Sequence, residues 1–172
     1  LLAKIGLNTL GDDELLRAVG KVLEEETGAR LIGAHEVVAD FLTPAGCLTK
    51  TEPNDAARHD IRRGAVVARE LGRQDVGQAA VVQQGIVLGV EAVEGTDALI
   101  KRAATLCREG DGGVLVKMAK PQQDNRYDLP TIGVGTVTAV VAAGLSGIAL
   151  EAGRSLMVER EKTIAAADAA GV

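Results

Sequence analysis

Apolar residues along this chain recur at two spacings, and the switches between them mark out its elements. Leu15, Leu16, Val19, Val22 and Leu23 share one helical stripe, while Glu24, Glu25 and Glu26 form a solvated face. Acids at Asp12 and Asp13 suit the first turn of that helix, and Gly28 ends it. Residues 29–34 read as a short strand, 35–39 as a short helix, and 41–48, with Pro44 and Gly46, as a linker. A second helix is expected with Thr51 as its N-cap and Pro53 in its first turn. Its stripe of small residues (Ile61, Gly64, Ala65, Ala68, Leu71) predicts close packing. Residues 78–82 and 86–93 predict two strands joined as a hairpin at Gln83-Gln84-Gly85. Thr96 is the expected N-cap of a helix that carries Leu99, Ile100, Ala103 and Cys107. A strand at 114–116, a small-residue helix at 137–143, strands at 148–150 and 156–158, and a helix at 159–170 complete the pattern. Strands alternating with helices predict an α/β fold with helices packed on the sheet. The hairpin makes that sheet mixed rather than purely parallel.

Composition narrows the function classes. Hydrophobic residues make up 47% of the chain, but the aromatics are only Phe41 and Tyr127. The core must therefore be aliphatic, and an aromatic platform for stacking bases is nearly excluded. A net charge of −5 argues against general nucleic-acid binding. Cys47 and Cys107 sit in no metal or redox spacing, which suits reduced thiols, and Cys107 on its stripe reads as a core residue. His35 and His59 read as surface or structural residues. No run of 18 apolar residues could form a membrane span. The chain lacks an initial Met and ends on Ala-Ala-Gly-Val, as if cut at both ends.

Candidate chemistry concentrates between the 114–116 strand and the helix that begins near Thr136. This segment holds Lys117, Lys120, Gln122, Gln123, Asp124, Asn125, Arg126 and Asp128. Pro121 and Pro130 frame it, and each ring fixes φ. Such a stiff, charged loop suits a phosphorylated ligand. Lys117, Lys120 and Arg126 would neutralise the charge that grows on the oxygens of a breaking diphosphate, Arg126 by a bidentate contact. Asp124 and Asp128 would orient or deprotonate water, or hold a divalent ion. The competing reading is that these charges pair with one another at the surface, where a pair is worth little. Glu91, Glu94 and Asp97 form a second acidic group. If the strand before Glu91 neighbours the strand of Val116, Glu94 would reach the loop, whereas Asp97 is expected to complement a helix dipole. Arg58, His59, Arg62 and Arg63 form a basic face that is either solvated or reaches an anionic ligand. Gly133-Val134-Gly135 lacks the third glycine of a dinucleotide fingerprint, and no P-loop or G-x-S-x-G elbow is present.

KPQQDNRYDLPTIG at 120–133 resembles the signature of the LpxI-type UDP-2,3-diacylglucosamine diphosphatases of lipid A biosynthesis. EAVEGTDALIKRA at 91–103, TEPNDAARHDIRRG at 51–64 and DVGQAAVVQQG at 75–85 resemble further blocks of that family, in order. The resemblance implies two domains with the acyl sugar between them. Residues 1–45 would be the tail of a separate N-terminal α/β domain plus linker, and 46–172 the C-terminal domain. It also implies a Mg2+-dependent hydrolase at the cytoplasmic face of the inner membrane, touching the membrane transiently. Its products would be UMP and 2,3-diacylglucosamine 1-phosphate (lipid X), formed by water attacking the sugar-side phosphorus. By position Asp124 matches the essential aspartate and metal ligand, with Asp128 the second catalytic choice. Lys117, Lys120, Gln123, Arg126 and Thr131 would contact phosphate or sugar, with Glu94 and Thr96 joining from the other block. Val134, Val137 and Val141 suit an acyl groove or a core equally. The alternative is a non-catalytic binding protein for acylated sugar phosphates. Oligomeric state stays open.

Overall fold

Ala79-Ala80-Val81-Val82 has no polar face to turn to water, so the strand it forms must lie between two layers. The computed structural model, which describes residues 12–33, 36, 41–122 and 128–172, places it so. The elements run α1 (Asp12–Thr27), α2 (Asp55–Arg73), β1 (Ala79–Gln83), β2 (Ile86–Val90), α3 (Gly95–Ala104), β3 (Val114–Lys117), β4 (Thr131–Ile132), α4 (Val134–Ala142), β5 (Gly147–Leu150), β6 (Leu156–Met157) and α5 (Arg160–Ala170). The main sheet has the order β2-β1-β3-β5. β1 pairs antiparallel with both β2 and β3, and β3 pairs parallel with β5, so the sheet is mixed and α/β as expected. β4 and β6 form a separate two-stranded parallel sheet.

Alternation along the strands divides the core in two. Ala79, Val81 and Leu115 face Leu99, Ile100 and Ala103 of α3 and Val140 of α4. Val114 and Val116 face the opposite way, packing with Ala68 of α2 and with Met118. The small stripe of α2 is what lets it approach. Its buried residues are Asp60, Gly64, Ala68 and Gly72. Asp60 is buried to 4% exposure because its two carboxylate oxygens accept from the N–H groups of Gln84 (2.8 Å) and Gly85 (2.6 Å). Those two residues form the two-residue hairpin turn, both at positive φ (52° and 75°), the geometry that matches strand twist. Gln83 ties β1 to the loop before β3, donating to the Arg108 and Asp111 carbonyls and accepting from Arg108 N–H.

Several expectations are corrected. Residues 29–33 form no strand. Leu31 N–H is instead captured by the Glu24 carboxylate at 2.8 Å, folding the chain back on α1. The 35–39 helix falls mostly outside the described residues. Asn54, not Thr51, caps α2, its side chain accepting from Ala57 N–H at 2.8 Å, and Pro53 stands before the cap. Thr51 is left to offer its carbonyl to Cys47 and Thr49. β2 stops at Val90 because Ala92 N–H is taken by the Glu94 side chain at 3.1 Å. Cys107 is exposed rather than core: α3 ends at Ala104, and the thiol reaches the carbonyls of Ala103 and Ala143. The two-residue β4 is a strand that periodicity does not reveal.

A methyl group at Gly64 would meet Val116 Cγ2 at 2.5 Å and its Cβ at 2.8 Å. Alanine in a helix gains about 1 kcal/mol over glycine, but overpacking costs about 1–3 kcal/mol, and a neighbouring Cβ cannot rotate away. Gly64→Ala is therefore expected to lower the thermal midpoint, measured by circular dichroism; a raised midpoint would contradict this packing.

Candidate functional site

The site is built where β2 and β3 end. Both strands run opposite to β1, so they run the same way, and their C-terminal ends share one edge of the sheet. That edge is where open α/β sheets bind ligands. The strands are not neighbours, as the sequence had suggested they might need to be; β1 lies between them. Lys117 pairs with Ala79, and on the far side of Ala79 the carbonyl accepts from Glu91 N–H at 2.9 Å. Cross-strand partners point to the same face. Lys117 and Glu91 thus share the α3 side of the sheet, separated by a single methyl group.

Lys117 is only 8% exposed, and its ammonium donates to the Thr131 carbonyl at 3.3 Å. Burial pushes its pKa below the ordinary lysine value. The carboxylates of Glu91, Asp128 and Asp97 oppose that shift. Three chain segments therefore meet around one ammonium: the end of β2, the first turn of α3 and the approach to β4. Glu91 is 6% exposed, accepting from Gln78 N–H (3.0 Å) and from the Thr96 hydroxyl (2.6 Å). Thr96 does not cap α3, because its hydroxyl is drawn to Glu91 and the cap position falls on Glu94. Glu94 is held by Arg102 of its own helix at 2.7 Å, and that hydrogen bond keeps its carboxyl below the usual range. Among the described residues its side-chain partner is Arg102.

The loop itself is anchored at its start. Lys120 pairs with Asp75, just past the end of α2, and Gln122 donates to the Gly72 carbonyl at 2.6 Å. Ala119 N–H reaches Glu151 at 3.0 Å, and Arg69 and Arg154 flank that carboxylate. Asp128 is exposed, and the Thr131 hydroxyl turns back to the Leu129 carbonyl. Gln123, Asp124 and Arg126 lie outside the described residues. Sequence reasoning left Glu91 out of the site and gave Asp97 only a dipole role. The available signal was an acid directly after an apolar strand, next to a strand that opens with alanine.

Among the described residues no three His, Cys, Asp or Glu side chains come together to hold a metal ion, and no helix is long and apolar enough to cross a membrane. A groove of about 580 Å³ runs along the unpaired edge of β5, walled by Leu48, Ile61, Ile148, Leu150, Ile164 and Val172. Its lining also includes Ile132, next to Thr131, while Leu150 is in register with Lys117, so one end of the groove approaches the charged site.

A model of the LpxI C-terminal domain matches residues 44–172. The chain belongs to the LpxI family. It is 50% identical over 168 residues to the UDP-2,3-diacylglucosamine pyrophosphatase LpxI of Caulobacter vibrioides, an overlap of 94% of this chain and 60% of that protein. The chain thus spans about 60% of the length of that curated relative. Within this LpxI domain the matched region includes all three segments that surround Lys117.

The lowered pKa has a direct consequence. Lys117 discharges at a lower pH than an ordinary lysine, so a charge able to meet phosphate is lost earlier as pH rises. Lysine side-chain NMR is expected to give Lys117 a titration midpoint below 10.5; a midpoint at or above that value would contradict the burial.

Proposed function

We propose that this chain is part of a hydrolase that cleaves the diphosphate of UDP-2,3-diacylglucosamine to UMP and 2,3-diacylglucosamine 1-phosphate. The observation that carries the reading is the buried Lys117 ammonium ringed by Glu91, Asp97 and Asp128, beside the motif at 120–133. The relative's name supports the substrate. In the reaction, water attacks the sugar-side phosphorus. The new P–O bond stays with the sugar phosphate, and the bridging oxygen leaves with UMP. Negative charge grows on phosphoryl oxygens as this happens, and a pre-placed ammonium in a water-poor site stabilises it more than one in bulk solvent. Asp124 or Asp128 orients the water and takes its proton. Arg126 and Gln123 would add contacts to phosphate or sugar.

A Mg2+ ion needs only one or two carboxylates when substrate phosphates complete its shell. Asp124 is the protein ligand in this reading, and the ion would supply neutralising charge to the phosphates. The groove along β5 offers apolar walls for an acyl chain, and one end of it approaches the charged edge. A cytoplasmic enzyme drawing such a lipid from the inner membrane would touch that surface without spanning it.

The test is UMP release from UDP-2,3-diacylglucosamine by the full-length protein. Asp124→Ala and Lys117→Met are each expected to lower kcat about 10²–10³-fold; undiminished turnover would remove the role assigned to that residue. Chelation of divalent ions is expected to abolish turnover and added Mg2+ to restore it, and activity that persists through chelation would remove the ion from this reading. Tight retention of acylated sugar phosphate with no turnover would favour a carrier instead.

A further inference from the structure

We propose that Glu91 is a positioning residue of this site: anchored on Gln78 and Thr96, its carboxylate lies across Ala79 from Lys117 and sets where that ammonium points. The geometry begins with strand spacing. β2 and β3 are two strand widths apart, about 10 Å, and the side chain between them on that face is the methyl of Ala79, which is fully buried. A larger residue there would wall the two groups off from each other. Alanine leaves a shallow trough along which the four-carbon lysine stem can lean toward Glu91.

Three carboxylates face Lys117, but they differ in kind. Asp97 and Asp128 are exposed. Glu91 is buried, and each of its oxygens already holds one donor, Thr96 Oγ1 on one and Gln78 N–H on the other. Those bonds fix the carboxylate while leaving lone-pair capacity on both oxygens. Glu91 is therefore the buried and doubly anchored carboxylate of the three. The same bonds tie the start of β1 to the first turn of α3, so the α3 terminus and the ammonium are set by one group.

The effect on turnover rests on the hydrolase reading above; the effect on Lys117 does not. The experiment uses full-length protein with labelled lysines, followed by side-chain NMR and by kcat and KM across pH. Glu91→Gln is nearly isosteric and keeps a hydrogen-bonding head. It is expected to lower the Lys117 midpoint, since one of the charges that oppose its desolvation is removed. The alkaline limb of kcat/KM should move with that midpoint, and kcat should fall about tenfold or more, with KM little changed. Glu91→Asp keeps the charge on a shorter arm and should give a smaller shift in the same direction. It carries the test if Glu91→Gln does not fold. In a Lys117→Arg background Glu91→Gln should leave the alkaline limb in place, because a guanidinium does not titrate there. A folded Glu91 variant with an unmoved Lys117 midpoint overturns the proposal, whatever its activity. Wild-type protein that releases no UMP overturns the hydrolase reading alone, and the NMR result still decides this one.

Discussion

An ammonium group withdrawn from water must be compensated, and at Lys117 that requirement organises the surroundings. Desolvation disfavours its charge, and three carboxylates from separate parts of the chain offset part of that cost. Each of those segments is placed by its own local rule. Glu91 follows the last residue of β2, Asp97 lies in the first turn of α3, and Asp128 precedes Pro130 on the way to β4. A site that keeps a cation dry yet charged is poised for an anionic ligand, because a preorganised charge acts more strongly where water cannot screen it.

Small residues make that arrangement possible on both faces of the sheet. On one face Ala79 leaves room between Lys117 and Glu91. On the other, Gly64 and Ala68 let α2 lie against Val116, and Gly72 lets its last turn touch Lys120 and Pro121. Asp75, just past that same end of α2, pairs with Lys120, and Arg69 of α2 flanks the Glu151 carboxylate that accepts from Ala119 N–H. Packing and site are therefore a single construction: the glycines that allow the helix to approach also bring up the groups that hold the loop.

Much of this was legible beforehand because it rests on short-range rules. The β-branched runs announced β1, β2 and β3, and Gln83-Gln84-Gly85 announced the turn. The charged, proline-framed loop was visible as composition. What could not be read were the side-chain captures. Thr96 looks like a cap until Glu91 competes for its hydroxyl, and Glu94 looks free until Arg102 takes it. Asp60 carries no local sign of its role, since the N–H groups it satisfies lie more than twenty positions away. Cys107 seemed to belong to the stripe of α3 because nothing local signals that the helix stops at Ala104.

The separate pairing of β4 with β6 bears on the loop in another way. The segment that leaves β3 starts from the large sheet and arrives on a small one, whose strands have two residues each. It is a span with its abutments on two foundations of unequal depth. The lesser footing is steadied from the chain's far end: Leu156 N–H grips the Pro130 carbonyl, Val158 N–H grips Ile132, and Arg160 in the first turn of α5 reaches back to Leu42. Slackening at that distal end would loosen the β4 footing itself, so the closing helix helps fix where the chain lands after the loop.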